Sequence, residues 1–208
     1  MLVGGTAAAL HVAHRLSRDD DHVVADLRDR FSEVLAQLES LAGWRTVRVA
    51  RPVLIPGSLD GIETGVRQLI RTEPLETEVI ERLGVSITVP TAAEMLRIKG
   101  VLILRRNATR DYVDFAALGE HLGDVAASTA LQSFDRLYPQ ESGESALQQL
   151  QAQLASALPY DLEDTDLSEY RNLASHWQDW ANVQSTCVRI AVAAFDAASG
   201  GAGLEGPS

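Results

Sequence analysis

The 208-residue chain has one cysteine, one lysine and no uninterrupted apolar run long enough to cross a bilayer. Each shortage removes a class of protein. Cys187 has no partner for an internal disulfide, so the fold does not rest on the cross-links that hold small secreted domains together. The richest apolar stretch, "EMLRIKGVLIL", is broken by Arg97 and Lys99; it falls short of the roughly 18 residues a membrane helix needs and fits a packed helix. No charged n-region leading into a short apolar core opens the chain, so nothing predicts secretion, and the expectation is a cytoplasmic protein with no membrane partner. Internal repeats and long low-complexity linkers are also missing.

What is present suits a globular protein. A hydrophobic content of 46% over this length allows one substantial core, or a core with a helical appendage. The net charge of −11 argues against a nucleic-acid partner, but the average hides a gradient: −3 over residues 1–44, +4 over 45–110 and −12 over 111–208. A basic middle can face an anionic substrate or can be scattered, solvated arginines, while an acidic last third stays in water or meets a basic partner.

Periodicity predicts a short helix over residues 6–16, a strand at "DDDHVVA" and an amphipathic helix over 27–42, with Leu27, Phe31, Val34, Leu35, Leu38 and Leu41 on one side. "WRTVRVA", "GVRQLIRT" and "VSITV" read as strands. Thr91 and Glu94 form a capping box that starts a helix near residue 91, running to about Arg106, and another helix begins near Asp111. From residue 123 strand signals stop, and "DVAASTALQSFDRLY", "ESALQQLQAQLASAL" and the run from 167 to 198 all have helical spacing. The expected fold class is α+β: a mixed-sheet core over residues 1–120, an all-helical region over 121–199, and a flexible tail over 200–208.

Several residues invite a chemical reading. On a strand, Asp19 and Asp21 share one face and Asp20 and His22 the other; paired carboxylates suit a magnesium ion. The glycines of "GGT" give a flexible turn at a helix start, where free amides favour phosphate. Lys99 is the lone lysine in a chain that otherwise uses arginine, on a helix with apolar neighbours, so its ammonium either points from a packed surface into a cleft or snorkels to solvent. Asp111 and Asp114, three apart, share a helix side; Asp111 suits a first-turn cap. His11 and His14 read as helix-surface residues, though a metal site with Asp20 and His22 is an alternative. Cys187, Trp177 and Trp180 read as core residues.

"GGTAAALHVAHRLSRDDD" resembles the opening motif of the AbiEii-type nucleotidyltransferase toxins, in the DNA polymerase β-like nucleotidyltransferase superfamily. "PTAAEMLRIKGVLILRRNATRDYVDFAAL" is similar to their later block, so the resemblance spans about residues 2–118. It implies a nucleotidyltransferase-like core and a magnesium-dependent enzyme that transfers a nucleoside monophosphate from a nucleoside triphosphate to an acceptor hydroxyl, with RNA such as tRNA a candidate acceptor. It also implies the toxin of a bacterial toxin–antitoxin pair, with a cognate antitoxin as partner. Carried over residue by residue, Gly4, Gly5, Thr6, Arg15, Ser17 and Lys99 would bind the nucleotide, Asp19 and Asp21 would hold the metal, and Asp19, Asp21, Lys99 and Asp114 would be catalytic. The sequence departs from the motif at Asp20 and His22, where the family has apolar residues, and has only "MLV" ahead of the glycines. Those departures favour the alternative of an inactive relative that serves as a binding partner; a metal-dependent phosphohydrolase is a third possibility.

Overall fold

A computed structural model describes residues 1–17, 19–82 and 84–201; Arg18, Leu83, residues 202–208 and the side chains of Asp19, Gly200 and Gly201 lie outside the description, and with them most of the expected tail. The chain separates into two compact units, Met1–Thr91 and Ala92–Ser208. Helices that the sequence groups with the α/β core thus belong to the second unit. Both units together make an α+β protein, with mixed strand directions in the first and helices throughout the second.

In unit 1, β1 (Leu2–Val3) leads into α1 (Gly4–Val12), then β2 (Asp19–Val24), α2 (Leu27–Glu39), β3 (Trp44–Thr46), β4 (Leu54–Leu59) and β5 (Ile62–Gln68). These strands form one sheet in the order β1-β2-β5-β4-β3. β2 and β5 run parallel, with Asp21 opposite Gly65 and His22 opposite Val66, and the remaining pairs are antiparallel. Parallel neighbours need a crossover, which α2, β3 and β4 supply. The amphipathic face of α2 closes over the sheet: Leu27, Phe31 and Ile55 are buried together, with Val24, Val34, Leu35, Leu38, Trp44 and Val66 packed around them. A separate ribbon, β6 (Thr77–Arg82) and β7 (Val85–Pro90), pairs antiparallel.

Unit 2 contains α3 (Ala92–Arg106), α4 (Thr109–Leu122), α5 (Asp124–Leu131), α6 (Phe134–Leu137), α7 (Ala146–Ala155) and α8 (Trp180–Gly201). Its interior holds Met95, Leu96, Ile103, Tyr112, Phe115, Leu118, Leu131, Phe134, Leu150, Leu154 and Ile190, each fully buried. The run from 167, predicted helical throughout, is helical only from Trp180. Before that come two single 3-10 turns, Leu167–Glu169 and Ser175–Gln178, the first capped by Asp166, whose carboxylate accepts from the Ser168 amide. Trp180 packs edge-on against Tyr112 with ring centres 5.9 Å apart, and Trp177 is buried. Both tryptophans pack in the bundle, but not on one helix face: extended Asp179 separates the turn that holds Trp177 from the helix that Trp180 begins. Cys187 is fully buried, and burial pushes its thiol up to about 12.

Candidate functional site

The glycine pair opens α1 rather than forming a free turn ahead of it. Gly4 has φ +75°, a left-handed conformation that suits glycine, and a methyl group on it would stand 3.2 Å from the Asp21 Cβ on the neighbouring strand. On Gly5 a methyl group would collide with the Arg15 guanidinium and stand 2.7 Å from Ser17 Oγ. Gly4, Gly5, Arg15, Ser17 and Asp21 therefore meet at one corner of unit 1, with Arg15 buried there. A residue the sequence reading passed over completes it: Arg67 on β5 donates from Nε to Asp21 Oδ1 at 3.2 Å. Arg67 lies two residues beyond Gly65, the residue opposite Asp21, so only the strand register reveals the pair. With side chains 25% and 47% exposed, this ion pair stabilises by at most about 1 kcal/mol.

The metal assignment to Asp19 lies outside the described side chains, and its expected companion Asp21 is paired with Arg67; Asp20 and His22 follow on the other face of β2. His22 is half-buried and burial lowers its pKa, while the Asp20 carbonyl accepts from Thr64 Oγ1 at 2.6 Å. His11 is not a surface residue. Its Nε2 donates to the Pro90 carbonyl at 2.7 Å and its Nδ1 lies 3.8 Å from Glu78, tying α1 to the β6–β7 ribbon. His14 is buried as well. Among the described residues no group of three or more His, Cys, Asp or Glu side chains is arranged to hold a metal ion.

Unit 2 gathers the second block of candidates into a buried charge cluster. Lys99 on α3 places its ammonium 2.6 Å from Asp114 Oδ2 and 3.2 Å from Asp111 Oδ1, both on α4. Arg106, at the end of α3, also approaches Asp111, with Nε 3.3 Å from Oδ2 and Nη2 3.3 Å from Oδ1. Both carboxylates are fully buried, so each requires these cations: a lone ion in such surroundings would cost several kcal/mol. Lys99 thus neither snorkels nor reaches into a cleft to grip phosphate; it fastens α3 to α4. Asp111 is not the cap expected from its place in the first turn; its carboxylate is paired with Lys99 and Arg106 instead. Glu94 and Arg97 form a second buried pair on α3 at 2.9 Å.

The start of α4 depends on residues that sequence spacing does not single out. Asp161 Oδ1 accepts from both the amide and the hydroxyl of Thr109, at 2.7 and 2.8 Å. Asn107, in the left-handed region at φ +47°, donates to the Leu158 carbonyl and accepts from Tyr112 Oη and Gln153 Nε2. Beside this junction, a cavity of about 540 Å³ is lined by Leu162, Glu163, Asp164, Thr165, Asp166, Leu167, Gln178 and Trp180. Glu163, Asp164 and Asp166 give the lining its charge, and Leu162, Leu167 and Trp180 give it apolar surface.

No protein-family profile matches the chain. It is 34% identical over 129 residues to the heme uptake protein MmpL11 of Mycobacterium tuberculosis, a match that takes in 62% of this chain and 13% of that protein. The same identity and coverage hold for the mycolic acid-containing lipids exporter MmpL11 of Mycolicibacterium smegmatis over 131 residues. The probable transport protein MmpL11 of Mycobacterium leprae is 30% identical over 131 residues. The chain spans only about an eighth of the length of these curated relatives. A stretch of 129 residues is longer than either unit, so the similarity runs across the junction at Thr91 and Ala92.

These relatives overturn the resemblance drawn from the glycine and aspartate motifs. They are named as transport proteins, and the nucleotidyltransferase function, the enzyme assignment and the toxin role fall with that finding. The physical lesson lies in the residues themselves. Two adjacent glycines are accounted for by the close approach of Asp21, Arg15 and Ser17, and a lone lysine near two aspartates by a buried ion cluster, with no nucleotide required.

Proposed function

We propose that this chain works as a module of a transport system of the kind its relatives are named for, placed outside the bilayer and acting on the transporter rather than carrying cargo. The observation that carries this reading is the similarity itself: 34% identity across both units, to a small portion of much larger proteins named for heme uptake and lipid export. Two structural facts support a role away from the translocation path. Among the described residues no helix is long and apolar enough to cross a membrane. The cavity described in unit 2 sets Glu163, Asp164 and Asp166 beside Leu162, Leu167 and Trp180, and three carboxylates at its wall disfavour heme or a mycolic lipid, which bury large apolar surfaces.

The test is a chimera. In the Mycolicibacterium smegmatis exporter, the segment matching this chain is deleted, or replaced by the matching residues of this chain, and export of mycolic acid-containing lipids is measured alongside the amount of protein in the membrane. Deletion should abolish or sharply reduce export and the replacement should restore it. Normal export after deletion, or a chimera that inserts normally and exports nothing, overturns the proposal.

A further inference from the structure

The longest interval without a carboxylate in this acidic chain runs from residue 40 to residue 59. Between Glu39 and Asp60 there is no Asp or Glu, and Arg45, Arg48 and Arg51 give the interval a charge of +3 in a chain of −11. The same interval holds Leu41, Val47, Val49, Val53 and Leu59, all exposed, with Val47 at 75%. It lies at the edge of the unit 1 sheet, because β3 is the outermost strand. Trp44 turns into the core beside α2, so by strand alternation Arg45 occupies the opposite face, and Val47 and Arg48 follow in the chain beyond the end of β3 at Thr46. The ladder continues past β3, with the Val47 amide donating to the Pro56 carbonyl at 3.1 Å. A tight turn follows, in which the Ala50 amide donates to the Leu54 carbonyl. The segment is therefore a held edge and turn.

The arginines differ in how they are held. Arg51 lies over the Phe31 ring at 4.7 Å and donates to Ser32 Oγ. Arg45 and Arg48 are exposed, and neither pairs with a carboxylate among the described residues. An exposed arginine in so acidic a chain would ordinarily pair with an acid; here Glu39, which accepts from Thr46 Oγ1, and Asp60, beside Gly43, flank the segment without pairing with either arginine, and valines lie in between.

We propose that this edge, residues 45–53, docks unit 1 on an anionic phospholipid surface, with Arg45 and Arg48 on lipid phosphates and Val47, helped by Val49 and Val53, in the headgroup and acyl boundary. Cations beside exposed aliphatic side chains are what an interfacial site needs, and no spanning helix is required. Single-stranded nucleic acid fits less well, since it is gripped by aromatic stacking and the only tryptophan here faces the core. Each arginine at such a surface strengthens binding by about fivefold, and the effect fades with salt. This inference stands apart from the transport reading, because every observation behind it lies within unit 1.

The experiment is co-sedimentation of the full chain with phosphatidylcholine vesicles and with mixed phosphatidylcholine and phosphatidylglycerol vesicles, at low and at physiological salt. The chain should partition onto the anionic vesicles only, and less as salt is raised. Arg45→Gln/Arg48→Gln should lower that partition by about 25-fold and flatten the salt dependence. Val47→Asn should lower it while leaving the salt dependence unchanged. Both variants alter exposed positions, and an unchanged melting curve verifies that they fold. Binding to neither vesicle, equal binding to both, unaltered binding by the two variants, or tighter retention by a single-stranded RNA homopolymer through the same residues overturns the proposal. The chimera experiment does not bear on it, so the two readings fail separately.

Discussion

Replacing Lys99 by methionine tests whether the buried cluster holds unit 2 together. The ammonium lies 2.6 Å from Asp114 and 3.2 Å from Asp111. At an effective dielectric constant near 20, those separations correspond to gross attractions of about 6 and about 5 kcal/mol. Desolvating each ion costs several kcal/mol, so the net value of the intact cluster is small, but removing the cation alone leaves Asp114 buried without it and should cost about 3–5 kcal/mol. For a unit of this size that lowers the melting temperature by more than about 10 °C. In a Trp44→Phe background the two remaining tryptophans, Trp177 and Trp180, both lie in unit 2, so fluorescence during urea unfolding reports that unit alone. The double variant Lys99→Met/Asp114→Leu removes both charges and should recover at least about 2 kcal/mol relative to the sum of the single changes. A Lys99→Met midpoint within about 0.5 kcal/mol of the parent, or strict additivity in the double variant, would refute the role assigned to the cluster.

Four further outcomes follow from particular groups. His22 is partly buried with a lowered pKa; below about pH 6.5 the unfolded chain takes up its proton first, so unit 1 should lose stability as pH falls through that value, and His22→Gln should remove that part of the slope in urea midpoints. Asp161→Ala strips the cap from α4 and should cost about 1–2 kcal/mol, with faster hydrogen exchange at the Thr109 amide; unchanged exchange would contradict the capping role. The Cys187 thiol, buried and pushed up to about 12, should resist a maleimide at neutral pH until the protein is denatured. Incubation with magnesium, labelled nucleoside triphosphates and total RNA should leave the RNA unlabelled, and a labelled product would reinstate group transfer at the Gly4–Gly5 corner.

Much of the fold was legible because the relevant elements have one wet face and one dry face. The α2 stripe from Leu27 to Leu38 comes directly from periodicity and the helix predicted from Thr91 starts at Ala92, while the strand read at "DDDHVVA" is found over Asp19–Val24 with its described residues all half-buried. What escaped had no such contrast. β4, "LIPGSL", lies inside the sheet although Pro56 and Gly57 read as a break, because Pro56 needs only its carbonyl there, which accepts from Val47. β6, "TEVIER", is solvated on both sides, so no alternation marks it. The candidate sites divide in the same way. Spacing put Asp111 and Asp114 on one side of a helix and composition made Lys99 conspicuous, but only the crossing of α3 and α4 turns three suggestive residues into one ion cluster. Motif resemblance supplied a function for residues whose packing accounts for them without it.

The Asn107 node and the Asp161 cap join segments 46 to 52 residues apart. A ribosome delivers α3 and α4 well before it delivers Gln153 or Asp161, so the nascent helical hairpin waits with its second helix unfinished at one end. Completion of unit 2 is therefore tied to the arrival of an irregular loop, and a chain terminated before residue 153 lacks the parts that close its earliest helices.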